Sequence, residues 1–440
     1  MKALKYIIIA SAVVLTISAA AQNPVVAPLQ KKPVMLIGGT IHTGTGEVIT
    51  DGIIAFSSGK LTFVGKASDY KADRSGYKVI DVTGKQVYPG LILPNTTLGL
   101  VEIGGVDVTV DTRELGDLNP NVRAIVAYNT DSQVIPVIRS NGVLLAQIVP
   151  QGSLLPGTTS VVQLDAWNWE DAAYRKDNGL MLGWPRKSGF GGREGAYFAQ
   201  FALAAAAAYD NNIEQLEKIF TDAVAYVSSD NHAYVNLRLE AMRGLFDGTR
   251  TLFINSSDPK GIIAAVSFAK RYGVRKIVLT GANETAWAVK DFLKENNIPV
   301  ILSNPLSLPT YEYSDVKLPF KLAAMFTHEG ILVGLTYSPQ DYPNLPFAAG
   351  VTADYGLTKE EALQTITINN AKILGIEDVT GSLETGKDAN IVVSTGDILD
   401  MKTNNIEYAF ITGRNINLDN KFKQLHRRFE AKYENLKAEK

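Results

Sequence analysis

The chain has no cysteine, and only four histidines among its 440 residues. Without thiols there is no disulfide framework, no Cys-ligated zinc, no thiolate nucleophile and no lipid attached through cysteine. No G-x-G-x-x-G, Walker or G-x-S-x-G pattern follows a strand-like run, which removes the common phosphate cradles and the nucleophile elbow of serine hydrolases. A charge excess is missing too. Lys and Arg number 43 against 45 Asp and Glu, and the formal charge of −2 supplies no field for nucleic acid. Beyond the N-terminus no apolar run approaches the roughly 20 residues that a membrane span needs. What is present, 46% hydrophobic and 20% charged residues, is the balance of a protein with a large buried core.

The first residues read MKALKYIIIASAVVLTISAAAQNP. Lys2 and Lys5, the apolar run Tyr6–Ile17 and the small residues Ala19, Ala20 and Ala21 form the n-region, h-region and cleavage site of a secretory signal, residues 1–21. The run is short for a spanning helix. The expected protein is exported, periplasmic or secreted, with a mature charge of about −4 once Lys2 and Lys5 are removed.

From Val34 short alternating strands with glycine turns follow, MLIGGTIHTGTGEVI, DGIIAFSSGKLTFVG and YKVIDVTGKQVYPG. The same texture returns in residues 381–417. Each segment is too small to fold alone, so 34–88 and 381–417 are expected to pair into one small β-sandwich formed from both ends of the chain. Residues 89–380 alternate strands (GVLLAQIVP, TTSVVQLD, TLFIN, KIVLTG, PVILS, ILVGL) with helical stretches. This α/β pattern predicts a (β/α)8 TIM-like barrel, a doubly wound open sheet being the alternative. Residues 418–440 read as a charged amphipathic helix, solvated or packed, or else partner-binding.

Residues 356–399, GLTKEEALQTITINNAKILGIEDVTGSLETGKDANIVVSTGDIL, together with VIDVTGKQVYPGLI at the front, resemble the amidohydrolase superfamily, especially its imidazolonepropionase-like members. The resemblance spans residues 34–415. It implies a barrel on a composite β-sandwich, and metal-assisted hydrolysis of C–N bonds other than peptide bonds. It also implies zinc or another divalent ion, held by an H-x-H pair ending strand 1, histidines after strands 5 and 6, and an Asp after strand 8. Some members add a carboxylated lysine, which has no identifiable counterpart here.

Carried over position by position, that set is gone. The H-x-H positions in PGLILPNTT hold Asn95 and Thr97, the strand 5 position holds Asn255, and strand 6 offers Gly281 and Asn283. The strand 8 position falls on Thr336 or Tyr337. The histidines do not compensate. His42, His328 and His426 read as structural or solvated, and His232, in SSDNHAYVN, cannot alone make a zinc site. Glu102, Asp107, Asp111, Glu114 and Asp117 match no calcium loop.

The expected mouth is therefore polar and uncharged, with the former ligand positions hydrogen-bonded to one another or through shared water. Trp167, Trp169 and Trp184 are candidate ligand-binding aromatics beside it, or a packed loop over the barrel. The reading is a catalytically degenerate member that binds or scaffolds, with no metal or other cofactor and no catalytic residue. The alternative is a working C–N hydrolase whose metal ligands are unrecognised or come from a partner. A small molecule, a second copy and a catalytic relative are the candidate partners.

Overall fold

The computed structural model describes residues 25–186, 196–229, 234–256, 258–309 and 312–438. The signal segment 1–21 and His232 lie outside the described residues. Five strands open the chain: β1 (Val34–His42), β2 (Val48–Ser57), β3 (Lys60–Lys66), β4 (Lys78–Asp81) and β5 (Gln86–Pro89). Eight follow: β6 (Leu91–Thr96), β7 (Val143–Ile148), β8 (Thr158–Gln163), β9 (Ala173–Gly183), β10 (Thr251–Asn255), β11 (Ile277–Ala282), β12 (Val300–Ser303) and β13 (Val333–Thr336). The last three are β14 (Ile391–Ser394), β15 (Ile406–Ile411) and β16 (Arg414–Asn415).

The first five and last three strands make one sheet in the order β16-β15-β14-β5-β1-β2-β3, with β4 also on β1. β5 is the splice: it runs parallel to β1 and antiparallel to β14, Val87 opposite Val393 and Pro89 opposite Ile391. This is a single continuous sheet rather than two stacked ones. It curls until the β2–β3 turn meets the segment before β14, where Leu61 N donates to Lys387 O at 2.8 Å and Ala389 N to Gly59 O at 2.8 Å. Leu36, Ile54, Phe56, Val87, Ile391 and Phe410 fill the inside of the curl.

The eight middle strands form a second sheet in sequence order from β6 to β13, curled into a nearly closed barrel. Alternate residues point inward, and Ile92, Leu145, Val161, Met181, Phe253, Val278 and Ile301 share one core with the helix Ile368–Leu374, which plugs the floor. One strand departs from the (β/α)8 pattern: β8 runs antiparallel to both β7 and β9. The cause is connection length. Residues 149–157 and 164–172 are each shorter than the dozen or so residues that a parallel crossover needs.

The ring closes between β13 and β6 without a backbone ladder. Pro94, inside β6, has no N–H to offer. Side chains bridge the gap instead. Thr336 Oγ1 donates to Pro94 O at 2.6 Å, and the buried Asn370 Nδ2 donates to Ile92 O at 2.8 Å and Leu335 O at 3.2 Å. Gly334 leaves the room this requires, since a Cβ there would fall 2.1 Å from Asn370 Oδ1.

The two sheets are joined through a buried carboxylate. Asp165, 1% exposed, accepts from Arg139 at 2.5 Å, from Arg414 of β16 at 3.0 Å and from the Ala27 backbone at 2.9 Å. Arg139 and Arg414 are themselves buried, so each charge in the trio depends on the others.

Replacing Asn370 by Leu keeps the volume but leaves the Ile92 and Leu335 carbonyls without this donor in a buried seam. The expected loss is about 1–3 kcal/mol, seen as a lower urea midpoint at unchanged m-value. An unchanged midpoint would show that the seam closes without Asn370.

Candidate functional site

The carboxyl ends of the parallel strands surround a cavity of about 410 Å³. Asn95 lies near the end of β6 with Thr97 just past it, Asn255 ends β10, Ser303 ends β12 with Asn304 after it, and Thr336 ends β13 with Tyr337 after it; all line the cavity. Gln151, Met181 and Tyr342 add to the wall. The strand order explains the convergence, because every parallel strand delivers its last residue to the same rim.

Two of these residues have left-handed backbone, Asn95 at φ 53° and Asn304 at φ 49°. Asparagine tolerates this conformation better than most side chains. It lets the chain turn sharply at the rim. Gly281 at the end of β11 also has positive φ, and a Cβ there would sit 3.2 Å from Asn255 Oδ1, so the small residue makes space for that amide.

The mouth residues are held from below by a polar thread. Asn95 N donates to Gln147 Oε1 at 3.0 Å, Gln147 Nε2 to Thr159 Oγ1 at 3.2 Å, Thr159 Oγ1 to Asn178 Oδ1 at 2.8 Å, and Asn178 Nδ2 to Leu374 O at 3.3 Å. Gln147, Thr159 and Asn178 are all buried. The thread ties the rim to the floor helix, and a satisfied buried network of this kind fixes geometry. Thr97 N donates to Tyr342 Oη at 3.1 Å. Asn95, Thr97 and Thr336 therefore bond to the barrel beneath and beside them rather than to one another, and among the described residues Asn95, Asn255 and Tyr337 share no direct side-chain hydrogen bond.

Not every singled-out residue arrives at the mouth. Asn283 turns away to cap the short helix Glu284–Trp287, its Oδ1 accepting from Thr285 N at 2.9 Å. Trp167 and Trp169 follow β8, and because that strand runs backwards they sit toward the strand-start end, Trp167 65% exposed and Trp169 beside Arg123 and Lys176. Trp184 packs on Phe268 at 5.4 Å and lines a separate outer groove with Ile213 and Ala264. Gln147, Gln151, Ser303, Asn304 and Tyr342 were missed by reading ligand positions alone. Ser303 had a signal, since it ends the strand PVILS, which must also point at the rim.

Among the described residues no charged side chain lines the cavity. Burial pushes the Tyr337 phenol above its usual pKa, the Asp341 carboxylate acting in the same direction, and burial likewise raises Tyr342. Both stay protonated at neutral pH. The site can donate and accept hydrogen bonds, but it contains no group poised to exchange a proton near pH 7.

The Amidohydrolase family profile matches residues 338–416. An imidazolonepropionase of Rhizobium rhizogenes is 21% identical over 386 residues, 79% of this chain and 87% of that protein. A second imidazolonepropionase, from Flavobacterium psychrophilum, is 32% identical over 95 residues, 20% of this chain and 23% of that protein. The fold is shared with an amidohydrolase from Thermotoga maritima MSB8, at a TM-score of 0.76 and 23% identity, covering 87% of this chain and 99% of that one. The chain is thus similar to amidohydrolases in its C-terminal family match and in its fold.

Zinc or another divalent ion, which the superfamily resemblance implies, does not fit these donors. Such an ion takes about three imidazole, thiolate or carboxylate ligands, whereas the described lining of the mouth offers amides, hydroxyls and phenols. Among the described residues no group of three or more His, Cys, Asp or Glu lies close enough to hold a metal. Glu102, Asp107, Asp111, Glu114 and Asp117 belong to the long loop between β6 and β7, and His328 ends the helix Leu318–His328. His426 lies on the terminal helix.

His42 has a structural place. Its Nδ1 meets Glu360 Oε1 at 2.6 Å and its Nε2 meets Gln86 Oε1 at 2.9 Å, with the ring stacked on Tyr88 at 4.5 Å. This joins β1 and β5 to the helix Lys359–Thr365 of the barrel. Burial disfavours the charged ring, but the hydrogen bonds to Glu360 and Gln86 outweigh it and raise the pKa above the usual 6.5. A raised folded-state pKa means that this contribution to stability is complete below about pH 6.5 and fades as pH climbs through the folded value. The urea midpoint should therefore fall across that interval, and His42→Gln should flatten the fall. An equal slope in the variant would assign the pH dependence elsewhere.

Proposed function

We propose that this protein is a catalytically degenerate amidohydrolase whose barrel mouth binds a neutral small molecule rich in hydroxyl or amide groups. The observation that carries the reading is a cavity whose described lining, Asn95, Thr97, Asn255, Thr336 and Tyr337 among it, includes no carboxylate or imidazole. Placing a divalent ion among such donors leaves its charge poorly compensated, and placing a charged ligand there costs desolvation with no counter-charge. A neutral polar ligand meets neither penalty. The amides supply paired donors and acceptors, the hydroxyls add adaptable ones, and Met181, Pro150 and Pro156 give the apolar wall that such sites combine with them.

The competing reading, hydrolysis of C–N bonds other than peptide bonds, is supported by the similarity to imidazolonepropionases over most of the chain. It would require ligands that this mouth does not supply. The leader-like segment 1–21 supports export to the periplasm or beyond, with the binding mouth acting there.

The test is thermal shift against neutral saccharides and cyclic amides, each beside a charged counterpart. A neutral compound at about 100 times its Kd should add about 2.7 kcal/mol of apparent stability, and the double variant Asn95→Leu, Asn255→Leu should abolish the shift. Stabilisation by charged counterparts alone, or turnover of a cyclic amide with added zinc, would overturn the reading.

A further inference from the structure

We propose that the C-terminal helix docks the protein onto an anionic lipid surface. The helix Lys421–Ala438 is rooted at the strand-start end of the barrel, where buried Asn420 Nδ2 donates to Ser140 Oγ at 3.1 Å and Asn420 Oδ1 caps Lys423 N at 3.0 Å. Asp419 holds Arg427 at 2.8 Å beside that root. From Gln424 to Glu434 every residue except half-buried Leu425 is exposed, so the helix leaves the body of the protein after its first turn.

Its exposed surface is not that of an ordinary solvated helix. Phe422, Phe429 and Tyr433 are 66%, 52% and 60% exposed. Their spacing of seven and four places them on one stripe with Leu425. Lys421, Lys423, Arg427, Arg428, Lys432 and Lys437 stand against only Glu430 and Glu434, a net charge of +4 on a chain whose overall formal charge is −2. An aromatic stripe bordered by long basic side chains suits the boundary between lipid headgroups and acyl chains, where rings insert and Lys or Arg reach the phosphates. A second copy is the poorer occupant, because pairing the stripes would bring two helices of net +4 together. Docking through this helix leaves the mouth, at the other end of the barrel, open to solution. No helix among the described residues is long and apolar enough to cross a membrane, so the attachment is peripheral.

The experiment is co-sedimentation of the chain from Gln22 onward, which removes the apolar run Tyr6–Ile17 as a source of lipid binding. Vesicles of phosphatidylcholine alone are compared with vesicles of equal parts phosphatidylglycerol and phosphatidylcholine. Binding should be at least about ten-fold stronger to the anionic vesicles and weaken with salt. Phe429→Ser with Tyr433→Ser, and separately Arg428→Glu with Lys432→Glu, should each lower it about ten-fold while the melting temperature stays put. Binding indifferent to phosphatidylglycerol, variants that bind like the parent, or no binding at all would overturn the proposal. So would a concentration-dependent dimer in gel filtration that Phe429→Ser with Tyr433→Ser abolishes, since the stripe would then belong to a second copy.

Discussion

The barrel's first and last strands meet without backbone pairing, and side chains have to close the ring. Pro94 removes the donor that a ladder would use at the upper level, and Thr336 donates its hydroxyl to the Pro94 carbonyl instead. Lower down, Asn370 reaches from the floor helix to the carbonyls of Ile92 and Leu335. Directly above these bridges the chain turns at Asn95 on one side, and Tyr337 faces the same cavity on the other. Closure by side chains thus sets the two halves of the mouth at a fixed separation. The thread through Gln147, Thr159 and Asn178 then fixes the height of Asn95 over the floor.

Charge is distributed in keeping with that construction. Polar groups hold the two sheets to each other: buried Asp165 between Arg139 and Arg414, and half-buried His42 against Glu360. Among the described residues the cavity wall has no charged group. A hydrolytic barrel concentrates its ionisable groups at the mouth, where strand ends and low dielectric sharpen their effect. Here the described lining offers donors and acceptors that neither ionise near neutral pH nor balance a metal's charge. On the reading proposed above, its chemistry is recognition by hydrogen bonds in a cavity with apolar walls.

Much of this was legible in the sequence, because each strand-like run carries its own periodicity and each sits in the order the fold uses. TLFIN, KIVLTG and PVILS became β10, β11 and β12, and Asn95, Thr97, Asn255, Thr336 and Tyr337 share a cavity because strand ends share a rim. The reversal of β8 was also written in the chain, as nine-residue connections on both sides of TTSVVQ, but strand-like composition does not announce direction. That reversal is why Trp167 and Trp169 stand away from the mouth. Gln147, Thr159 and Asn178 were harder to find. Gln147 is a single polar residue in an apolar strand, Thr159 and Asn178 stand among other polar residues of β8 and β9, and only the register between strands joins the three. Asn283 fell on the right strand but took the nearer partner, the amide of Thr285, as short side chains at helix starts commonly do.

Metal content tests the account most directly. Protein purified in the presence of excess zinc and then desalted should carry far less than one zinc per chain, and a strong chelator should leave its melting temperature unchanged. Near-stoichiometric zinc that the chelator removes, with a fall in melting temperature, would contradict the claim that this amidohydrolase mouth has given up its metal.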